Sequence, residues 1–181
     1  MKRAEIERLL PGIFQRTSHP GSPLYALLET METLQAPSEA ALRDLDTYFE
    51  PRRAPDAFVP YLAGWVDLQR LLAEAPSAPD TPPPPTFPAG LGRLRELIAQ
   101  AAFLSQWRGT SRGLLRFLET ATGAQGFAVD EQVPGENGLP RPFHLRVRAP
   151  RETAPYRVLI ERIIEVEKPA YVTYELVFET D

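Results

Sequence analysis

Hydrophobic positions recur at helical spacing through the first two thirds of the chain and at strand spacing in much of the last third. Ile6, Leu9, Leu10 and Ile13 make a short stripe broken at Pro11-Gly12. Leu24, Leu27, Leu28, Met31 and Leu34 then give about three turns of one helical face, with Pro37 predicted to stop or kink the helix. Ser38 has the form of an N-cap for a continuation through Ala41, Leu42, Leu45, Tyr48 and Phe49, which Pro51 ends. Asp56 is placed to cap a third helix whose inner side would be Phe58, Leu62, Trp65 and Leu68 or Leu72. Pro60 falls near its first turn, where a missing N–H is tolerated.

Residues 75–90 read APSAPDTPPPPTFPAG, a composition that favours extended polyproline II and excludes helix. The segment is either a spacer or a strap lying across a partner with Phe87 as its anchor. Helix is expected again from Leu91 to about Trp107, with Leu94, Leu97, Ile98, Ala101 and Leu104 on one side. Arg108-Gly109-Thr110 breaks it, and a further helix from Ser111 to Thr122 ends at Gly123, a residue suited to a left-handed C-terminal cap.

Beyond Gly123 the period changes to two. Phe127 and Val129 alternate with polar neighbours, and Pro134 to Gly138 supplies turn residues. Phe143, Leu145 and Val147 face one way while His144, Arg146 and Arg148 face the other. Tyr156, Leu159, Ile160, Ile163 and Ile164 form a helical stripe stopped by Pro169, and Tyr171 to Phe178 is rich in β-formers. The expected fold is α+β, mainly helical, with a small C-terminal β-β-α-β unit whose last two strands run parallel. Four segments follow from this: helices in 1–74, the proline-rich linker or strap in 75–90, a helical hairpin in 91–123 and the β-β-α-β unit in 124–181.

Composition narrows the functions. The chain has 181 residues, no cysteine and two histidines, His19 and His144, so disulfides and thiolate metal sites are excluded. A net charge of -4 disfavours a nucleic-acid binder, which needs a clustered basic face. No apolar run reaches the ~20 residues of a membrane helix, and MKRAEIERLL lacks a secretory core, which predicts assembly in the cytoplasm. The cations are nearly all arginine, which suits interface ion pairs and stacking but also follows from a GC-rich genome.

Catalytic strings are sparse. Gly109-Thr110-Ser111-Arg112-Gly113 matches G-x-S-x-G, yet that motif needs a strand before its serine and a helix is expected here. A tight helix–helix turn capped by Thr110 or Ser111 fits better. Glu29, Glu32, Glu161 and Glu165 read as helix-face charges, and no spacing suggests a metal or phosphate site. No enzymatic activity, cofactor or metal is expected.

Three stretches carry a resemblance: Leu10-Pro11-Gly12-Ile13-Phe14, Tyr48 to Leu68 (YFEPRRAPDAFVPYLAGWVDL) and Trp107 to Gly123 (WRGTSRGLLRFLETATG). Together they resemble the phage tail protein I-like family of contractile tail baseplates and related injection systems. That family has an "LP-x-I-[FY]" opening, "YFDP"-like and "AP-x-x-[FL]-L-x-W-L-A-x-W" segments and an "RGT-x-x-G-L" segment. Tyr48-Phe49-Glu50-Pro51, Ala54-Pro55, Phe58, Leu62-Ala63 and Trp65 match the second pattern. Arg108-Gly109-Thr110 and Gly113-Leu114 match the third. The likeness covers roughly residues 9–123. It departs at the proline-rich stretch, where the family has a shorter, charged segment, and it does not extend over the β-β-α-β unit.

The resemblance implies a structural baseplate wedge protein, incorporated into a phage tail-like particle. It would join two copies of a larger wedge protein through a shared helical bundle and link the hub and spike to the sheath. The partner-facing residues it suggests are Leu24, Leu27, Leu28, Met31 and Leu34, with Phe87 from the strap; Trp65, Arg108, Gly109, Thr110 and Gly113 would be structural. The residues alone leave a second reading open, a small helical adaptor or ligand-binding module without catalysis.

Overall fold

A computed structural model describes residues 3–73, 86–135 and 138–179. They fall into two compact units that divide between Phe49 and Glu50. None of the helices among the described residues is long and apolar enough to cross a membrane.

The N-terminal unit is helical: α1 (Arg3–Leu9), α2 (Gly12–Gln15), α3 (Pro23–Arg43) and α4 (Leu45–Phe49). Its organising element is α3. Ser22 caps it, the hydroxyl accepting from the Tyr25 N–H at 3.2 Å, and Pro23 follows where its missing N–H is not needed. Pro37 does not end this helix, and Ser38 lies inside it rather than capping a new one. Pro37 is exposed, so water can reach the carbonyl that its absent N–H leaves unpaired. Helix α1 packs against α3, and the Arg3 guanidinium lies 4.0 Å from the centroid of the Tyr25 ring.

The C-terminal unit begins with a 3-10 turn at Asp56–Phe58 and α5 (Val59–Trp65). Asp56 does not cap this helix. Pro55 precedes the turn, and the Asp56 carboxylate is held by Arg95 at 2.6 Å. The turn also shifts the helical phase, because it winds at three residues per turn instead of 3.6. Within α5, Val59, Leu62 and Ala63 are buried, while Phe58 before it is only half-buried and Trp65 at its end is 66% exposed. Residues 50–73, which sequence grouped with the N-terminal helices, contribute Ala54, Val59, Leu62, Leu68, Leu71 and Leu72 to the core shared with residues 86–179.

Most of the proline-rich stretch lies outside the described residues, but its base does not. The Ala73 N–H donates to the Thr86 carbonyl at 2.8 Å, and the Thr86 N–H donates back at 3.2 Å. Residues 73 and 86, which flank the prolines from Pro76 to Pro85, are therefore neighbours in space. Phe87, expected as a partner anchor, is 6% exposed and belongs to the core of this unit.

The expected long helix is two: α6 (Leu91–Ala99) and α7 (Ala101–Gln106), with Gln100 at φ -99°, ψ 3° between them. Leu94, Leu97, Ile98 and Leu104 are nonetheless all buried. Helix α8 (Ser111–Thr122) has the predicted bounds and ends at Gly123, φ 79°, whose N–H returns to the Glu119 carbonyl at 2.8 Å.

Strands β1 (Ala128–Asp130), β2 (His144–Ala149) and β3 (Thr173–Phe178) form one sheet in the order β1-β2-β3, the first pair antiparallel and the second parallel. Helix α9 (Arg157–Glu167) links the parallel pair, and its Leu159, Ile160, Ile163 and Ile164 are buried as the stripe predicts. Phe143 departs from the expected alternation. It has φ 54°, precedes β2, and is exposed against Tyr171, the two rings edge-to-face at 5.3 Å. The turn residues 136 and 137 lie outside the described residues.

Candidate functional site

The RGT stretch is a structural joint built by three consecutive residues. Gly109 adopts φ 75°, in the left-handed region that favours glycine. Thr110 is the N-cap of α8: its hydroxyl accepts from the Gly113 N–H at 3.1 Å and donates to the Trp107 carbonyl at 2.7 Å. Gly113 is where the chain crosses itself, since a Cβ there would sit 2.1 Å from the Trp107 carbonyl oxygen. Arg112 lies 4.4 Å from the centroid of the Trp107 ring.

Arg108 ties this joint to two other segments. One Nη donates to the Val166 carbonyl at 3.1 Å, the other reaches Asp67 at 3.5 Å, and Nε lies 3.8 Å from Glu167. Arg70 grips the same Asp67 carboxylate at 2.8 Å. Asp67 sits at φ 61°, a costly conformation for a residue with a side chain, and so places its carboxylate between two guanidiniums. Glu167 is buried at the end of α9, and loss of water raises its pKa above the ordinary carboxylate value; the charges of Arg108 and Arg70 partly oppose this. The Arg108 knot thus links the segment after Trp65, the RGT turn and the end of α9.

A second clamp holds the AP segment. Arg95 donates to the Ala54 carbonyl at 2.7 Å and pairs with Asp56, while Arg52 and Glu96 form an exposed pair at 3.1 Å. The bond from Arg52 lowers the Glu96 pKa. These partners of Arg108 and Arg95 were not legible in sequence, because they come from distant segments and no local spacing marks them.

Chemistry suited to catalysis is not assembled around Ser111. Its hydroxyl donates to Glu131, a helix rather than a strand precedes it, and it occupies the first position of α8. His19 is exposed beside Pro20, and His144 is half-buried on the sheet with Nδ1 2.8 Å from the Thr173 hydroxyl. Among the described residues no group of three histidine or carboxylate side chains could hold a metal ion.

Apolar surface is what the N-terminal unit offers instead. Along α3, Leu27 is 56% and Leu34 is 74% exposed, and Leu24 and Met31 are half-buried. Leu28, expected with them on a partner face, is 2% exposed. Leu9, Ile13, Phe14, Leu42, Leu45 and Phe49 are exposed as well. The sequence stripe therefore divides: Leu28 is buried, whereas Leu27 and Leu34 are exposed.

No protein-family model matches the chain, and no curated protein matches it.

Proposed function

We propose that the chain is a structural baseplate wedge protein of a contractile tail or injection system. It joins larger wedge subunits and links the hub and spike to the sheath. The observation that carries this reading is the apolar surface of the N-terminal unit, above all Leu27 and Leu34 on a 21-residue helix. A helix of that length is marginal alone and draws most of its stability from packing. Each aliphatic side chain taken from water to a buried site contributes roughly 1.5–3 kcal/mol, so a partner helix laid along this face has a large driving force available. A shared helical bundle supplies such a partner.

The motif stretches support the same role from the other unit. Arg108, Gly109, Thr110 and Gly113 make a rigid joint, and the Arg108 and Arg95 clamps hold the segments around Trp65 and Ala54-Pro55. Their chemistry is that of a scaffold: cap, close approach and ion pair.

The test is reconstitution. Genes beside this one should encode sheath, tube and spike proteins, and the larger wedge protein among them should co-purify with this chain when both are expressed together. A stable complex with more than one copy of the larger protein per copy of this chain is the expected result. A chain that stays apart from every such neighbour, or a genome with no tail genes around it, overturns the proposal.

A further inference from the structure

A small cavity lies inside the Arg108 knot. Its volume is about 60 Å³, and Asp67, Arg70, Ser105, Arg108 and Glu167 supply its polar lining. Leu104 and Phe117 supply apolar wall, which can make no hydrogen bond. Asp67 and Ser105 are exposed, so the cavity reaches the surface beside them, whereas Glu167 is buried.

The two carboxylates of the lining are served unequally. Asp67 is held by Arg70 at 2.8 Å and by Arg108 at 3.5 Å. Glu167 has only the Arg108 Nε at 3.8 Å, beyond hydrogen-bond reach, and among the described residues no donor bonds its carboxylate. Arg108 is not free to close this gap. Its two Nη atoms are engaged by the Val166 carbonyl and by Asp67, which hold the guanidinium in place and leave its Nε–H without an acceptor in reach. Lys168, the next residue along the chain, is paired with Glu165 at 3.1 Å.

Charge and geometry define what fits the gap. The guanidiniums of Arg70 and Arg108 balance the carboxylates of Asp67 and Glu167, so the lining favours neither a cation nor an anion. Among the described residues no group of three side chains could hold a metal ion. The occupant is therefore neutral. It must accept from a guanidinium, which only donates, and donate to a carboxylate, which only accepts. An oxygen about 2.8 Å from each atom spans the 3.8 Å separation, standing about 2 Å off the line between them. Space is ample, since one water needs roughly 10–15 Å³ and two to four polar partners.

We infer that this cavity is a binding site for an ordered water that completes the knot. The water accepts from the Arg108 Nε–H and donates to the Glu167 carboxylate and to the Ser105 hydroxyl. It gives the buried carboxylate the hydrogen-bond donor that no side chain supplies directly. A bond to the charged form favours that form, so the water limits the rise in the Glu167 pKa that burial causes. It also gives Glu167 a route for proton exchange with solvent while the knot stays closed. The site needs no wedge partner, so its failure would leave the proposed assembly role untouched.

Two measurements on the full chain test this. A high-resolution crystal structure should show an oxygen within about 3.2 Å of both the Arg108 Nε and the Glu167 carboxylate. Ala101 lines the cavity at the start of α7, and Ala101→Val adds two methyl groups there that should displace the water. The Glu167 titration, followed by carbon NMR of the side-chain carboxyl, should then rise by about one pH unit, a tenfold weaker ionisation. Circular dichroism reports whether the variant folds, and the wild-type crystal structure decides the matter if it does not. A site without that oxygen, a direct hydrogen bond from Arg108 to Glu167 in its place, or a Glu167 titration indifferent to Ala101→Val overturns the inference.

Discussion

The two units spend similar apolar stripes in opposite ways. Among the described residues, Leu28 is the one buried hydrophobic side chain in the N-terminal unit, although α3 is the longest helix described. The C-terminal unit takes shorter helices, α6, α8 and α9, and buries nearly every apolar position that their periodicity marks. The difference is architectural. Helices α6, α8 and α9 pack against one another or against a sheet, whereas α3 has mainly the seven-residue α1 across it. Periodicity thus identifies a face that needs covering, and the neighbouring elements decide whether the chain covers it.

The largest break in this comparison should come from the sheet side. Ile160 is fully buried on α9, so Ile160→Ala should cost about 2–5 kcal/mol in denaturant unfolding of the whole chain. A loss below 1 kcal/mol would mean that the C-terminal core is as loosely filled as the N-terminal unit.

Next in size are the glycines of the joint. Gly113→Ala drives a methyl into the Trp107 carbonyl and should cost about 1–3 kcal/mol. Gly109→Ala meets open space and carries only the conformational penalty of positive φ, roughly 1–2 kcal/mol. Thermal melting of the pair ranks them; the reverse order would contradict the close crossing at Gly113.

A smaller effect should follow pH. Glu167 has a raised pKa in the folded protein, so the folded state binds its proton more tightly than the unfolded chain does. Its contribution to stability is fully present below the ordinary carboxylate pKa and is lost as pH rises through the folded value. Glu167→Gln should remove that decline and leave the variant relatively more stable at neutral pH, with Arg108 still bonded to Asp67 and the Val166 carbonyl. Denaturant midpoints measured on either side of the window check the slope; a wild type more stable than the variant only at neutral pH would show that the Arg108 charge outweighs the cost of burial.

Legibility in the sequence followed the same divide. The α9 stripe and the bounds of α8 were readable because capping residues and prolines bracket long, regular patterns. The mainly helical α+β class and the parallel β2–β3 pair followed from the change of period. Trp65 was misplaced because the buried face of α5 runs through Val59, Leu62 and Ala63, and apolar spacing did not decide between that face and one through Leu62 and Trp65. Pro37 was read as a break because the carbonyl it frees has to find water, and sequence does not show that this side of α3 is exposed. Phe143 breaks the strand alternation through its own backbone angle. As for the candidate site, Gly109, Thr110 and Gly113 were legible as local turn chemistry. Burial of Leu28 and Phe87, and the meeting of Arg108 with Asp67 and Glu167, depend on segments brought together only by folding.

The proposed function rests on the exposed apolar positions of α3, Leu27 and Leu34, being covered by a partner. The double variant L27D/L34D tests it most directly, with melting of the isolated chain and co-purification with the proposed larger wedge partner measured on the same sample. Both positions are exposed, so stability should stay within about 0.5 kcal/mol of wild type for each substitution while co-purification is lost. A variant that unfolds as readily as Ile160→Ala, or one that still assembles in full, would contradict the account.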